Sequence, residues 1–252
     1  GGDKYSVLNY LTKVKALTVK DLQSVGKKYL TEKNRMVFTL MPEVETPKTD
    51  APKAAVSANV TAQQVIDNYA AALGGKSKLE AVKTVKTLST IKVMGMEMEA
   101  TTLEMAPNKS KAVQKIMGQE MVQVFDGEKG YMMQAGQRMD LPAPAIEEAK
   151  KKRLFEVLSY NAADFKTVEK VTEEGKELYL LAGAGKKLYF DTKTNLLVKS
   201  TSDKGDMVIL DYMEVDGIKF PKNLKLAMMG QNMEMTNNQV IVNKEVSAED
   251  FK

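Results

Sequence analysis

Lys176-Glu-Leu-Tyr-Leu-Leu-Ala-Gly-Ala-Gly-Lys-Lys-Leu-Tyr-Phe-Asp191 is written as two short strands around a tight turn. Leu, Tyr and Phe dominate both flanks, and Gly183-Ala-Gly185 supplies the small residues a hairpin needs. The same glycine pair resembles a dinucleotide-binding turn, but that motif requires a helix next, and the strand-like Lys187-Leu-Tyr-Phe190 follows instead. A hairpin is the reading, and it repeats in both directions along the chain. Short β-like runs fall near 84–94, 96–105, 110–117, 120–126, 129–134 and 137–141, then near 165–171, 176–182, 186–191, 196–202, 206–214, 217–229 and 232–243. Met-Gly, Pro-Asn, Asp-Gly and Ala-Gly pairs separate them at regular spacing, which predicts a meandering antiparallel sheet rather than βαβ units.

Some strands are apolar on both sides: Leu178 and Leu180 alternate with Tyr179 and Leu181, and Phe125 follows Val122 and Val124. A sheet with one wet face should alternate cleanly. Helices must therefore cover one side while a partner covers the other, or the sheet must line a wide cavity. Two helical stripes are available for the cover. Thr61 reads as an N-cap ahead of Val65, Ile66, Tyr69 and Leu73, with Gly74-Gly75 as the stop. Pro144 to Leu158 reads as one lid helix carrying Ile146, Leu154, Val157 and Leu158 on a single side, with Glu147–Lys151 and Glu148–Lys152 pairs on the other.

The first forty residues are different. Val7, Tyr10, Leu11 and Val14 form one helical stripe, Leu22, Val25 and Tyr29 a second, and Asn34 to Pro42 reads as a strand stopped by proline. These three one-sided elements cannot close a core alone. Residues 42–59, with Pro47, Pro52, lysines and alanines, have linker composition. Residues 1–60 hold 10 basic and 6 acidic groups and the rest 27 of each, so the net +4 sits entirely before the sheet. The expected domains are thus 1–41, a linker 42–59, and a β-rich unit 60–252. Gly1-Gly2-Asp3-Lys4-Tyr5 shows no basic-then-apolar signal-peptide pattern, and no apolar run reaches the length of a membrane span.

Composition removes whole classes of chemistry. With no Cys and no His, disulfides, zinc fingers and Cys–His or Ser–His nucleophile pairs are impossible. A charge of +4 does not argue for nucleic acid. Gly75-Lys76-Ser77 imitates the end of a P-loop, but no strand precedes it; Asp126-Gly-Glu128 and Asp203-Lys-Gly-Asp206 read as turns rather than calcium loops; and Lys150-Lys-Lys-Arg153 reads as a solvated helix face. The remaining signal is methionine, 17 residues against no Trp. Met94-Gly-Met-Glu-Met98, Met117-Gly-Gln-Glu-Met121 and Met229-Gly-Gln-Asn-Met233 share a Met-Gly-x-x-Met frame, each glycine lying where a turn needs φ > 0. Such methionines serve as adaptable core filling, as a pliable wall for an acyl chain, or, less favourably without Cys or His, as thioether ligands for copper(I).

Two family resemblances follow. Tyr10 to Asp21, Lys27-Lys-Tyr-Leu30, Asn34-Arg-Met-Val and Leu40-Met-Pro-Glu43 resemble the C-terminal tail of insulinase/pitrilysin-type zinc peptidases. The His-x-x-Glu-His of that family is absent, so no peptidase site residue carries over, and zinc is implied only for a full-length parent. The remainder resembles the LolA/LolB-like lipoprotein-sorting domains of Bacteroidetes-type envelope proteins. Ala72-Leu-Gly-Gly75, Pro107-Asn-Lys109, Phe125-Asp-Gly127 with Tyr131, Tyr189-Phe-Asp191, and Asp211-Tyr212 through Val215-Asp-Gly-Ile-Lys-Phe-Pro221 carry it. A Trp expected after the Asp-Gly turn is missing, with Tyr131 or a methionine in its stead.

The resemblance implies an α+β fold: an incomplete antiparallel barrel with covering helices, whose concave face holds acyl chains. It implies a non-catalytic domain of the periplasm or outer membrane of a Gram-negative bacterium, with a hydrophobic ligand or lipoprotein acyl chain as partner and no cofactor. The peptidase body is a second expected partner, since the domain could instead dock it, or its substrate, without ligand. The expected ligand wall is Val65, Tyr69, Ile146, Leu154, Val157 and Leu158, rimmed by Met94, Met98, Met117, Met121, Met229 and Met233.

Overall fold

The computed structural model describes residues 56–228 and 230–252. The predicted peptidase-like segment 1–41 lies outside the described residues. The strands are β1 (Val56–Ser57), β2 (Thr84–Val93), β3 (Met96–Met105), β4 (Lys109–Ile116), β5 (Gln119–Phe125), β6 (Gly130–Gln134) and β7 (Gln137–Asp140), then β8 (Phe165–Glu173), β9 (Lys176–Gly183), β10 (Lys186–Asp191), β11 (Leu197–Ser202), β12 (Gly205–Val215), β13 (Ile218–Met228) and β14 (Gln231–Val242). Two residues of the predicted linker become β1, paired with Lys170 and Glu169 of β8.

All pairings are antiparallel, and the strands form one sheet in the order β1-β8-β9-β10-β11-β12-β13-β14-β2-β3-β4-β5-β6-β7. Two meanders, β2–β7 and β8–β14, are thus welded where the last strand pairs with the first long one, Val242 opposite Val85. Among the described residues β1 and β7 have no second strand neighbour, so the barrel is incomplete. Bulges between Ile209 and Tyr212 and between Asn237 and Gln239 bend the sheet at its middle strands. Asn237 holds one bend, accepting from the Ser89 hydroxyl at 2.7 Å and donating to the Pro221 carbonyl at 2.7 Å.

Helix α1 (Ala62–Leu73) begins at Thr61 with a full capping box to Gln64. It ends at Gly74 with φ 141°, where a Cβ would sit 2.7 Å from the Gly217 carbonyl oxygen. Its stripe of Val65, Ile66, Tyr69 and Leu73 is buried against Phe190, Leu181, Leu188, Ile209, Phe220 and Leu224 of the inner face. Tyr69 meets Phe190 edge-on at 5.1 Å. Helix α2 (Lys76–Ala81) adds the fully buried Leu79.

The segment joining β7 to β8 departs from the single predicted lid helix. Helix α3 (Ala143–Lys151) stops at an extended Lys152, and a 3-10 turn follows at Glu156–Ser159. Arg153 closes the helix by donating to the carbonyls of Lys150 (3.1 Å) and Lys152 (2.8 Å). The chain then drops so that Phe155 is buried beside Phe220, rings 5.7 Å apart. Ending the helix at Lys152 lets both Phe155 and Val157 reach the α1 cluster.

Candidate functional site

Opposed residues of antiparallel neighbours share a sheet face. On the inner face, the register lines up Ile209, Leu224, Met235, Ile91 and Met98 across β12, β13, β14, β2 and β3. Two residues nearer the hairpin tips runs a second row: Met207, Leu226, Met233, Val93 and Met96. In the first row Ile209, Leu224, Ile91 and Met98 are buried, whereas Met207, Leu226 and Met96 of the second are half-buried. The result is a continuous apolar floor in which five of ten side chains are thioethers.

Helix α3 is tied near its C-terminal end to two hairpins of the sheet. Near its C-terminus the Lys150 carbonyl accepts from Asn108 at 3.3 Å, next to the β3–β4 turn. Glu148 pairs with Lys204 of the β11–β12 turn at 2.7 Å, which holds the Glu148 carboxyl below its usual range. Between those two hairpins lie β13, β14 and β2. Yet α3 buries none of its residues; Ala145, Ile146 and Ala149 are only half-buried. It is a strap secured by one amide and one exposed ion pair, of the kind worth about 0–1 kcal/mol. Beside it, on the inner face, stands Glu104, half-buried; burial raises its carboxyl above the ordinary value, and the charge of Lys152 opposes the rise.

The sequence-predicted wall is divided by the structure. Val65, Tyr69 and Val157 are buried in the α1 cluster, and Leu154 and Leu158 pack against it. Those five come together as core, not as a lid surface, because the helix that was to carry Leu154, Val157 and Leu158 ends before them. Ile146 alone of the set lies on the strap. Among the methionines, Met98, Met121 and Met233 are buried. Met94 and Met117 are the exposed tips of their hairpins, at 70% and 93%, with positive φ of 51° and 49° ahead of Gly95 and Gly118. Met229 lies outside the described residues. Reasoning from sequence missed Ile91, Val93, Leu224, Leu226, Met207 and Met235; their i, i+2 alternation was legible, but which strand they would face was not.

Other polar features are structural. Burial pushes the Tyr69 phenol up to about 12, and Tyr212 beside it donates to the Leu197 carbonyl at 2.6 Å. The Asp126 carboxyl, lowered by the backbone N–H groups of Lys129 and Glu128, closes the Asp-Gly turn. A shallow, open hollow of about 390 Å³ lies at the β9–β10 tip by Gly183, Lys186 and Ser202. Among the described residues no cluster of three Asp or Glu could hold a metal, and no helix is long and apolar enough to cross a membrane.

No protein-family model matches the chain, and no curated protein matches it. Among solved structures it is similar to a DUF1329 family protein from Desulfovibrio piger at 8% identity, covering 76% of this chain and 97% of that one, with a TM-score of 0.49. It is also similar to a LolA superfamily protein from Nitrosomonas europaea (11% identity, 77% and 98% coverage, TM-score 0.48). An outer membrane lipoprotein-sorting protein domain from Vibrio parahaemolyticus matches at 9% identity, 76% and 97% coverage and a TM-score of 0.49. The order of the described strands, which ends at β1 and β7 without closure, establishes the incomplete barrel on its own.

Proposed function

We propose that this unit is a non-catalytic binding domain of the cell envelope that takes an elongated apolar ligand, such as an acyl chain or the lipid of a lipoprotein, between α3 and the methionine-rich floor. The observation that carries the reading is the strap itself: a helix tied to the hairpins on either side of the floor strands, with none of its own residues buried. A helix that contributes this little to the core can lift at small cost, and unbranched thioethers repack around chains of variable shape. The ligand would replace half-buried contacts at Met207, Leu226, Met96 and Ile146. Five of the six wall residues expected from the sequence instead pack in the α1 cluster on the same face.

Native mass spectrometry of the purified chain, with titration of a fluorescent fatty acid, tests the proposal. Bound acyl mass and saturable binding are expected. Ile146→Asp should weaken binding about tenfold, in keeping with the loss of part of the 1.5–3 kcal/mol of a buried aliphatic side chain. Ile146 is the better probe than Leu154, whose side chain packs against the core. A ligand-free spectrum with no titratable binding would overturn it. The packed α1 side and the exposed Met94 and Met117 favour a second reading, a ligand-free module that docks a peptidase body or its substrate. It predicts that ligand-free spectrum. Attachment to a zinc-peptidase-like protein rests on the residue pattern of 1–41 alone.

A further inference from the structure

The free edge at β7 carries its own complement. Gln137 to Asp140 are all exposed, and among the described residues no strand pairs with their outer side. The β6–β7 register sets Gln134 opposite Gln137, and the Leu141 N–H donates to the Gly130 carbonyl at 2.9 Å. Hydrogen-bonded pairs alternate along an antiparallel ladder, so residues 137, 139 and 141 turn their backbone groups toward β6. Arg138 and Asp140 therefore turn theirs outward: two N–H and two C=O groups on an open edge. Their side chains share one sheet face, where Arg138 lies 3.4 Å from Asp140 and 3.9 Å above the Tyr131 ring.

We infer that β7 pairs with β7 of a second copy of this chain, antiparallel about a two-fold axis at Met139. Only even-numbered positions offer outward groups, so three symmetric registers are available, centred on residues 138, 139 or 140. Centring on 138 opposes Arg138 to itself. Centring on 140 opposes Asp140 to itself and places Pro142, which has no N–H, opposite Arg138. Centring on 139 sets each Arg138 against the other copy's Asp140, completes four backbone hydrogen bonds and makes two opposite-charge cross-strand pairs. It also brings the two Met139 side chains, each half exposed, together on the inner face. Like charges reject two registers and opposite charges select the third. A two-fold, isologous contact of this kind closes on itself and cannot propagate into fibres. A four-residue strand buries far less than the roughly 1,200 Å² of a stable interface, so the pairing is weak and concentration-dependent.

Sedimentation equilibrium of the full chain across a wide concentration range reads it directly. The mass should rise from 27.9 kDa toward twice that value. Arg138→Asp and Asp140→Arg should each weaken self-association about tenfold or more, because each creates two like-charge pairs. The double exchange, Arg138→Asp with Asp140→Arg, should restore it. Far-UV circular dichroism of each single variant should match wild type, which separates lost pairing from lost folding. A chain that stays monomeric throughout, or a dimer indifferent to both single variants, overturns the inference; the former leaves the edge to a strand from another protein.

Discussion

Helices α1 and α3 both meet this sheet, and they differ in kind. Under α1 the side chains of Val65, Ile66, Leu73, Leu181, Leu188 and Phe190 are sealed, and the helix begins and ends on definite caps. Helix α3 lacks a side-chain N-cap bond, and none of its residues is buried. The first is part of the hydrophobic core; the second adds no buried residue to it. The difference separates the part that carries stability from the part proposed to bind, so one can be changed with limited effect on the other.

The largest effect should come from the sealed side. Phe190 is 1% exposed, and Phe190→Ala should cost about 3–5 kcal/mol in urea unfolding, from lost burial and the cavity left behind. A cost below about 1 kcal/mol would mean the α1 side is loosely packed as well, and the contrast would fail. Next comes Gly183, where β9 meets the bulged start of β8. A Cβ there would lie 2.0 Å from the Asp164 carbonyl oxygen and 2.8 Å from the Phe165 Cα, both backbone atoms. Gly183→Ala should therefore cost about 1–3 kcal/mol, by prying β8 from β9.

On the strap side the expected changes are small for stability and large for dynamics. Removing both ties with Asn108→Ala and Lys204→Ala should lower global stability by less than about 1 kcal/mol. Amide exchange over residues 143–151 should nonetheless be faster than over 62–73 in the wild type, and faster again in the double variant. Equal protection of the two helices would mean that the strap is held by more than the asparagine and the ion pair.

The sheet was legible almost to its strand ends. The expected runs at 96–105 and 186–191 match β3 and β10, and the others stray by a residue or two, because turn glycines and strand alternation are local signals. What escaped was non-local. The weld between β14 and β2 brings residues 233 and 235 beside 93 and 91, and nothing within either strand records its neighbour. The floor depends on that weld, so its members Leu224, Leu226 and Ile91 could not be named as a site. The lid helix failed for a related reason. Leu154, Val157 and Leu158 do fall on one helical face, but the pull of Phe155 into the α1 cluster lies outside any periodicity.

The smallest expected effect joins the two sides through Glu104. Burial raises its carboxyl above the ordinary carboxylate value, while Lys152, at the C-terminus of the strap, lowers it partway back. The folded chain then holds this proton more tightly than the unfolded chain does. The contribution is fully present below the unfolded pKa, and it is lost as pH rises through the folded one. Stability should therefore decline over the pH units just above the normal Glu value. Glu104→Gln should remove that decline and leave the variant more stable than wild type at pH 7. Lys152→Met should steepen it, since the carboxylate loses its compensating charge. Urea unfolding from pH 4 to pH 8 compares all three proteins. Parallel curves for wild type and Glu104→Gln would show that the inner face beside the strap is wet enough to ionise a carboxylate without cost. That outcome would place water, rather than an apolar floor, at the strap's foot.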